Sequence, residues 1–232
     1  MLIDAHCHPQ LSDFKDSYLD SWRENVLIAS STGFQDLLDL QELAQKYPHM
    51  RLSGGIHPWN IKDVFPTNDL KLISELVISQ SSLSIGEIGL DCSRKYKPYF
   101  EIQKRVLQAF FILARDTLRP IILHAVKAHH DILSFLKYFP KQKILIHGFQ
   151  GSSDLLNQYL RYEAYFGLSV INFQEQAKKI PLHRLFLESD GLCHLSQFEI
   201  AYHKLAQIKN RSNCKTEEQI EENYHFLFND PS

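Results

Sequence analysis

Short runs of aliphatic and β-branched residues recur along the chain, each followed by a longer stretch in which apolar residues return every three or four positions. Such alternation predicts strand–helix units around a parallel sheet. Eight strand segments are expected: one opening near Leu2, then Val26 to Ala29, Leu52 to Ile56, Ser84 to Ile88, Ile121 to Val126, Ile144 to Phe149, Phe166 to Val170 and Leu185 to Glu188. Between them, Leu37, Leu40, Leu43 and Ala44 form one helical stripe, and Phe100, Gln103, Leu107, Phe110, Phe111 and Ala114 predict a longer helix ahead of the fifth strand. The seventh helix is expected to be short. With no low-complexity tract, linker or repeat in the way, residues 1–232 are read as one domain. Helical period alone leaves open whether the sheet is doubly wound or closed.

The polar positions decide that choice. His6 and His8 end the first strand, His57 follows the third, Glu87 lies on the fourth, and His124, His147 and Asp190 end the fifth, sixth and eighth. A single (β/α)8 TIM-type barrel gathers its carboxyl strand ends at one pocket, whereas an open sheet would spread them along a line. On a strand, His6 and His8 share a face while Cys7 points to the other and is read as packing. Glu87 sits among apolar neighbours in Ser84-Ile85-Gly86-Glu87-Ile88-Gly89, where an unpaired carboxylate would cost several kcal/mol, so a cation is expected beside it. Four histidines and two carboxylates suffice for two divalent ions bridged by a carboxylate.

Composition narrows the setting. Lys plus Arg number 25 against 27 Asp plus Glu, which argues against a basic coat for bulk nucleic-acid binding while leaving room for a local basic rim. The four cysteines, Cys7, Cys92, Cys193 and Cys214, show no CxxC spacing and predict a reducing compartment. No signal-peptide pattern opens the chain, and no apolar run approaches the roughly 18 residues of a membrane span, so a cytoplasmic protein is expected, with no membrane contact and no obligate protein partner evident.

In order and spacing, the segments Ile3-Asp4-Ala5-His6-Cys7-His8, Gly55-Ile56-His57-Pro58, Ile85-Gly86-Glu87-Ile88-Gly89-Leu90-Asp91, Leu123-His124-Ala125, Ile146-His147-Gly148-Phe149-Gln150-Gly151-Ser152 and Leu187-Glu188-Ser189-Asp190 resemble the TatD family of metal-dependent deoxyribonucleases, within the amidohydrolase-like barrels. The resemblance covers nearly the whole chain. It implies that His6, His8, Glu87 and Asp190 hold one metal, that Glu87, His124 and His147 hold the second, and that His57 faces the substrate phosphate. One departure stands out. The family usually continues from its last aspartate with a small residue, a proline and an arginine- and asparagine-containing loop ending in Glu-Pro. Here Asp190 leads through Gly191-Leu192-Cys193-His194 almost directly into a helix-like stretch from Gln197 to Ile208. Asn223 to Phe228 still resembles the family's terminal helix.

The function expected from this set is metal-assisted hydrolysis of DNA phosphodiester bonds, exonucleolytic on short or single-stranded ends. Glu87 bridges, and Asp190 accepts the proton of the attacking water. Zinc, magnesium and manganese all suit the mixed imidazole and carboxylate donors. Arg94, Lys95 and Lys97 after the fourth strand, and Lys127, His129 and His130 after the fifth, are candidate phosphate contacts. Trp59 and Tyr96 are candidates for stacking on bases. Two alternatives remain: a bimetal hydrolase of a small amide, ester or lactone, kept alive by the altered segment after Asp190, and a metal-binding scaffold without catalysis, against which six convergent polar groups argue.

Overall fold

A computed structural model describes residues 1–12, 15–191 and 193–228. Its eight strands are β1 (Ile3–Cys7), β2 (Val26–Ser30), β3 (Met50–Gly54), β4 (Ser84–Asp91), β5 (Ile121–Val126), β6 (Ile144–Ile146), β7 (Ala164–Ser169) and β8 (Leu185–Glu188). They pair in sequence order, every neighbour parallel. The helices are α1 (Lys15–Ser21), α2 (Phe34–Lys46), α3 (Thr67–Ser79), α4 (Phe100–Thr117), α5 (His129–Tyr138), α6 (Ser153–Tyr159), α7 (Gln174–Lys179), α8 (Leu195–Ile208) and α9 (Asn213–Phe228). β8 returns beside β1, where the Asp190 amide donates to His6 O at 2.9 Å and the Ser189 amide to Asp4 Oδ1 at 3.0 Å. The result is the expected (β/α)8 barrel.

The core forms where the apolar faces of the helices meet the outer face of the sheet. In α4, Val106, Leu107, Phe110, Phe111 and Ala114 are buried. The polar member of that stripe, Gln103, is buried too: its Oε1 accepts from the Asp91 amide (2.9 Å) and its Nε2 donates to Tyr96 O (3.3 Å). α4 is thereby fixed to the end of β4 by hydrogen bonds as well as packing. At the opposite end of the barrel, Asn223 Nδ2 on α9 donates to the carbonyls of Leu182 and Leu185, tying the terminal helix to the start of β8.

Strand ends differ from the sequence expectation in three places. β3 stops at Gly54, two residues early, because the following backbone turns to other partners: Gly55 N donates to Ser31 Oγ (3.0 Å) and His57 N to Thr32 O (3.0 Å). β6 is only three residues long, and Gly148, at φ 58°, breaks the extended run expected to reach Phe149. β4 instead continues to Asp91. The seventh helix is short as expected, at six residues.

Two glycines let β4 pass close to its neighbours. Gly86 has φ 149°, and a Cβ there would lie 2.7 Å from Ile122 Cβ. Gly89 has φ 147°, and its Cβ would lie 2.1 Å from the His124 carbonyl oxygen. Both conformations belong to glycine. They bracket Glu87, so the backbone that carries the central carboxylate is drawn against β5 and the residue that ends in His124.

Candidate metal centre

Glu87 lies at the centre of the carboxyl end of the barrel, only 1 % exposed. Its two oxygens face different partners. Oε2 is 3.2 Å from His6 Nε2 and 3.1 Å from His8 Nε2. Oε1 is 2.8 Å from His147 Nε2, 2.9 Å from His124 Nδ1 and 3.1 Å from His57 Nε2. Asp190 stands over the first group, its Oδ1 3.4 Å from His6 Nε2 and 3.9 Å from His147 Nδ1. Six strands thus deliver five imidazoles and two carboxylates to one point, each side chain sitting on or within three residues of its strand end.

Hydrogen bonds on the far side of each ring decide what the near nitrogen can do. His8 Nδ1 lies 2.8 Å from Ser30 O, and a carbonyl only accepts, so that nitrogen carries the proton and Nε2 keeps its lone pair for a cation. His6 Nδ1 is held by Ser30 Oγ at 3.0 Å. His57 is the reverse case. Its Nδ1 accepts from the Trp59 amide at 3.0 Å, so the proton of the neutral ring sits on Nε2, which points at Glu87 Oε1. Burial pushes the His57 imidazole below its ordinary range, outweighing the pull of Glu87, which keeps the ring neutral. His57 therefore presents an N–H to the pocket, although it is close enough to Glu87 and His124 to complete a three-ligand group on distance alone.

The remaining donors fit a cation. His6 Nε2, His124 Nε2 and His147 Nδ1 are buried and make no hydrogen bond. His6 Nε2, set between Glu87 Oε2 and Asp190 Oδ1 but bonded to neither, is costly to bury unless an ion lies there, while His124 Nε2 and His147 Nδ1 face Asp91 and Glu188 on the far sides of their rings. Protonation of His6 carries the same signal. Burial and the neighbouring His147 oppose its charge, yet Glu87 and Asp190 outweigh both and raise its pKa to about 9.

Three buried acids that sequence reasoning left without a role surround the cluster. Glu188 is fully buried, its Oε1 accepting from the Gly148 amide at 2.5 Å and lying 3.7 Å from His147 Nδ1. Its carboxylate fills the space beside Gly167, where a Cβ would lie 1.7 Å from Glu188 Oε2. Asp91 Oδ2 lies 3.6 Å from His124 Nε2 and accepts from Trp59 Nε1 at 2.7 Å. Asp4 accepts from Tyr18 Oη, Ser189 N and Ser189 Oγ, and burial still raises its carboxyl to about 7. A signal existed for Glu188: it is two residues from Asp190, hence on the same face of an extended chain.

Other candidates lie outside the cluster. Lys127 is exposed at the end of β5 with φ 54°. His129, at the start of α5, places Nδ1 3.0 Å from Tyr159 Oη and its ring edge-on to Phe149. Arg94, Lys95 and Lys97 are exposed after β4. Tyr96 is buried and stacks on Trp59 itself, centroids 5.4 Å apart and planes 11° apart, so it is not open to a base as the sequence suggested. After Asp190, itself at φ 61°, α8 begins at Leu195. His194 caps it reciprocally: its Nδ1 accepts from Ser196 N, and Gln197 Oε1 accepts from His194 N. The nearly direct run from Asp190 into a helix, expected from Gln197, is observed, with the capped helix starting two residues earlier. Leu192 lies outside the described residues.

A (β/α)8 barrel with imidazoles and carboxylates converging at its carboxyl end defines a metal-dependent hydrolase. The TatD related DNase family model matches residues 3–229, and the chain belongs to that family. It is 27% identical to the putative deoxyribonuclease TATDN3 of Mus musculus, over 98% of this chain and 88% of the mouse protein. It is 24% identical to the 3'-5' ssDNA/RNA exonuclease TatD of Escherichia fergusonii, over 72% of this chain and 67% of that protein. The crystal structure of YJJV, a TatD homologue from Escherichia coli, superposes with a TM-score of 0.88 at 22% identity, covering 99% of this chain and 98% of the other.

Glu188 offers an early test. If its charge, 3.7 Å from His147 Nδ1, orients that ring, Glu188→Ala removes this attraction and the acceptor of the Gly148 amide, and metal affinity falls by about 10- to 100-fold, the usual cost of losing an outer partner of a ligand. Competition with a fluorescent chelator measures it. Unchanged affinity would mean that Glu188 serves only the backbone of Gly148.

Proposed function

We propose that the protein hydrolyses phosphodiester bonds of DNA, exonucleolytically on short or single-stranded ends, with 1–232 acting as one catalytic domain. The observation that carries this reading is the division of Glu87: one oxygen turned to His6 and His8, the other to His124 and His147, as a bridging carboxylate requires. His6, His8, Glu87 and Asp190 would hold one divalent ion, and Glu87, His124 and His147 the second, with zinc, magnesium or manganese as candidates. Bound ions at such a centre polarise phosphoryl oxygens and lower the pKa of water.

This chain's own residues do the rest. His57 Nε2–H, fixed by the Trp59 amide behind it and turned to Glu87 Oε1 at 3.1 Å, would be released to stabilise charge on a phosphate oxygen when an ion takes up that carboxylate oxygen. Asp190 is the proton acceptor. Its side chain is 57 % exposed, and the His6 imidazole 3.4 Å away, working against desolvation, holds its carboxyl well below the usual range, so it is ionised at neutral pH. Lys127, exposed on the same side of the barrel, attracts the polyanion. The four cysteines are all free thiols, and no described helix is long and apolar enough to cross a membrane; both fit the cytoplasm.

The short connection from Asp190 to α8 favours one competing reading, hydrolysis of a small amide, ester or lactone. Metal-reconstituted protein assayed on labelled single-stranded oligonucleotides, simple phosphodiesters and small amides separates the two. On the nuclease reading, His57→Ala lowers kcat/KM on the oligonucleotide by about 10²- to 10³-fold, as for loss of one donor to a developing oxyanion, while the metals stay bound. Lys127→Ala raises KM, and inorganic phosphate competes. Hydrolysis of only the amide or ester, insensitive to both substitutions and to phosphate, would reject the nuclease.

A further inference from the structure

Among the described residues, Trp59 is a large aromatic ring at the metal centre that is left nearly half open. It is 48 % exposed, whereas the chain's other tryptophan, Trp22, is fully buried. Exposing so much of an indole is unfavourable, and the ring is nonetheless held from several sides. Its Nε1 donates to Asp91 Oδ2 at 2.7 Å, and Tyr96 stacks on it. Its centroid is 4.9 Å from that of His57 and 6.1 Å from that of His124, both edge-on. Its backbone is tied as well, the amide to His57 Nδ1 and the carbonyl to Lys62 Nζ (2.7 Å). Such bracing is not needed to fill a core position, because the ring does not fill one. It makes a rigid flat surface against solvent.

We propose that the open part of the Trp59 indole is a nucleobase-stacking subsite, which seats the base of the nucleotide whose phosphate meets His57 and makes an unpaired strand end the preferred substrate. The inference rests on the phosphodiesterase reading for its placement of that phosphate. Three features beyond exposure support it. The indole is in ring contact with His57, so a base on it and a phosphate on His57 belong to one nucleotide or to adjacent ones. Tyr96 behind the indole lies under two cations, Lys95 Nζ 4.9 Å and Lys62 Nζ 5.7 Å from its centroid, and Lys62 also approaches Tyr99 at 5.6 Å. Aromatic rings flanked by lysines suit bases and the phosphates that join them. A stacking surface also selects single strands without reading sequence, because every base has a π-face and only an unpaired base can present it.

The chain's own fluorescence gives the test. With Trp22 buried, quenching by a bound base reports on Trp59. Metal-loaded protein is titrated with a short oligothymidylate and with an abasic strand of the same length and charge, both phosphorothioate-linked to resist hydrolysis. The expected result is saturable quenching by the thymidylate and little by the abasic strand. By anisotropy of labelled strands, Trp59→Ala loses affinity for the thymidylate about 5- to 150-fold, the range for one stacked base, and leaves the abasic strand unchanged. Trp59→Phe, which keeps a ring but cannot reach Asp91 with an N–H, retains most of the preference for bases. Equal affinity for both strands in the native protein, or equal losses for both in Trp59→Ala, overturns the subsite. The companion assay uses ordinary phosphodiester strands. Cleavage of both strands at the same rate, indifferent to Trp59→Ala, leaves the nuclease standing and removes the subsite. Base-dependent quenching with no cleavage of either strand does the opposite.

Discussion

Glu87→Gln is expected to lower kcat/KM by at least about 100-fold, the upper end of what losing even an outer partner of a metal costs, and to reduce metal content, while barely moving the melting temperature of metal-free protein. Both carboxylate oxygens are in use, one toward His6 and His8 and the other toward His57, His124 and His147. An amide preserves the volume but turns an NH2 group toward one set of imidazoles, where it can neither accept a proton nor attract a cation. Folding is spared for a separate reason. Glu87 is buried, and its charge is maintained, against strong desolvation, by His147, His6 and the hydrogen bonds from His124 and His147. Its partners are imidazoles, which can release their protons, so its removal leaves no fixed buried cation uncompensated and the loss of those attractions is largely offset in the metal-free chain. Metal analysis beside thermal melting separates the two effects. Full metal content with full activity would show that Glu87 does not bridge.

Gly89→Ala is expected to destabilise the fold by about 2–6 kcal/mol, combining a backbone conformation that alanine avoids with a clash in a packed sheet, each of which costs about 1–3 kcal/mol. At φ 147° the new Cβ would stand 2.1 Å from the His124 carbonyl oxygen, with the His124 nitrogen and carbonyl carbon each 2.9 Å away. All three are backbone atoms of β5, paired in register with Gly89, so no side chain can rotate aside. The strands must separate. His124 then moves relative to Glu87, and metal binding should fall along with stability. Denaturant unfolding measures the first effect and chelator competition the second. A change within about 0.5 kcal/mol, as for an indifferent surface position, would show that β4 and β5 can part there without loss.

How far the site could be read from the chain depends on how local each feature is. His6 and His8 were legible because two histidines one residue apart on a strand must share a face, and the structure places both near one oxygen of Glu87. Strand-terminal His124 and His147 were legible for a similar reason. His57 was placed at the mouth by resemblance, but nothing in Gly55-Ile56-His57-Pro58 states which nitrogen carries its proton. That follows from the Trp59 amide, whose direction is set by the turn after β3. Trp59 and Tyr96, 37 positions apart, were both offered to a substrate; the structure gives one of them to the other. Glu188 was visible in its motif yet silent, since burial, not residue type, distinguishes it from an ordinary strand-end acid.

The sequence by itself determined the barrel, the order of its strands and which end carries the chemistry. Those depend on periods of two and of about 3.6 residues and on polar residues at strand ends, all written in consecutive positions. Only the tertiary structure decided how the two oxygens of Glu87 are shared, which nitrogen of His8 and of His57 carries the proton, and that the helix start after Asp190 is capped. Those properties arise between residues far apart in the chain, such as His8 and Glu87 at a separation of 79. Their geometry is set by strand register and barrel closure, and a deviation of one residue in register would turn each side chain to the opposite face.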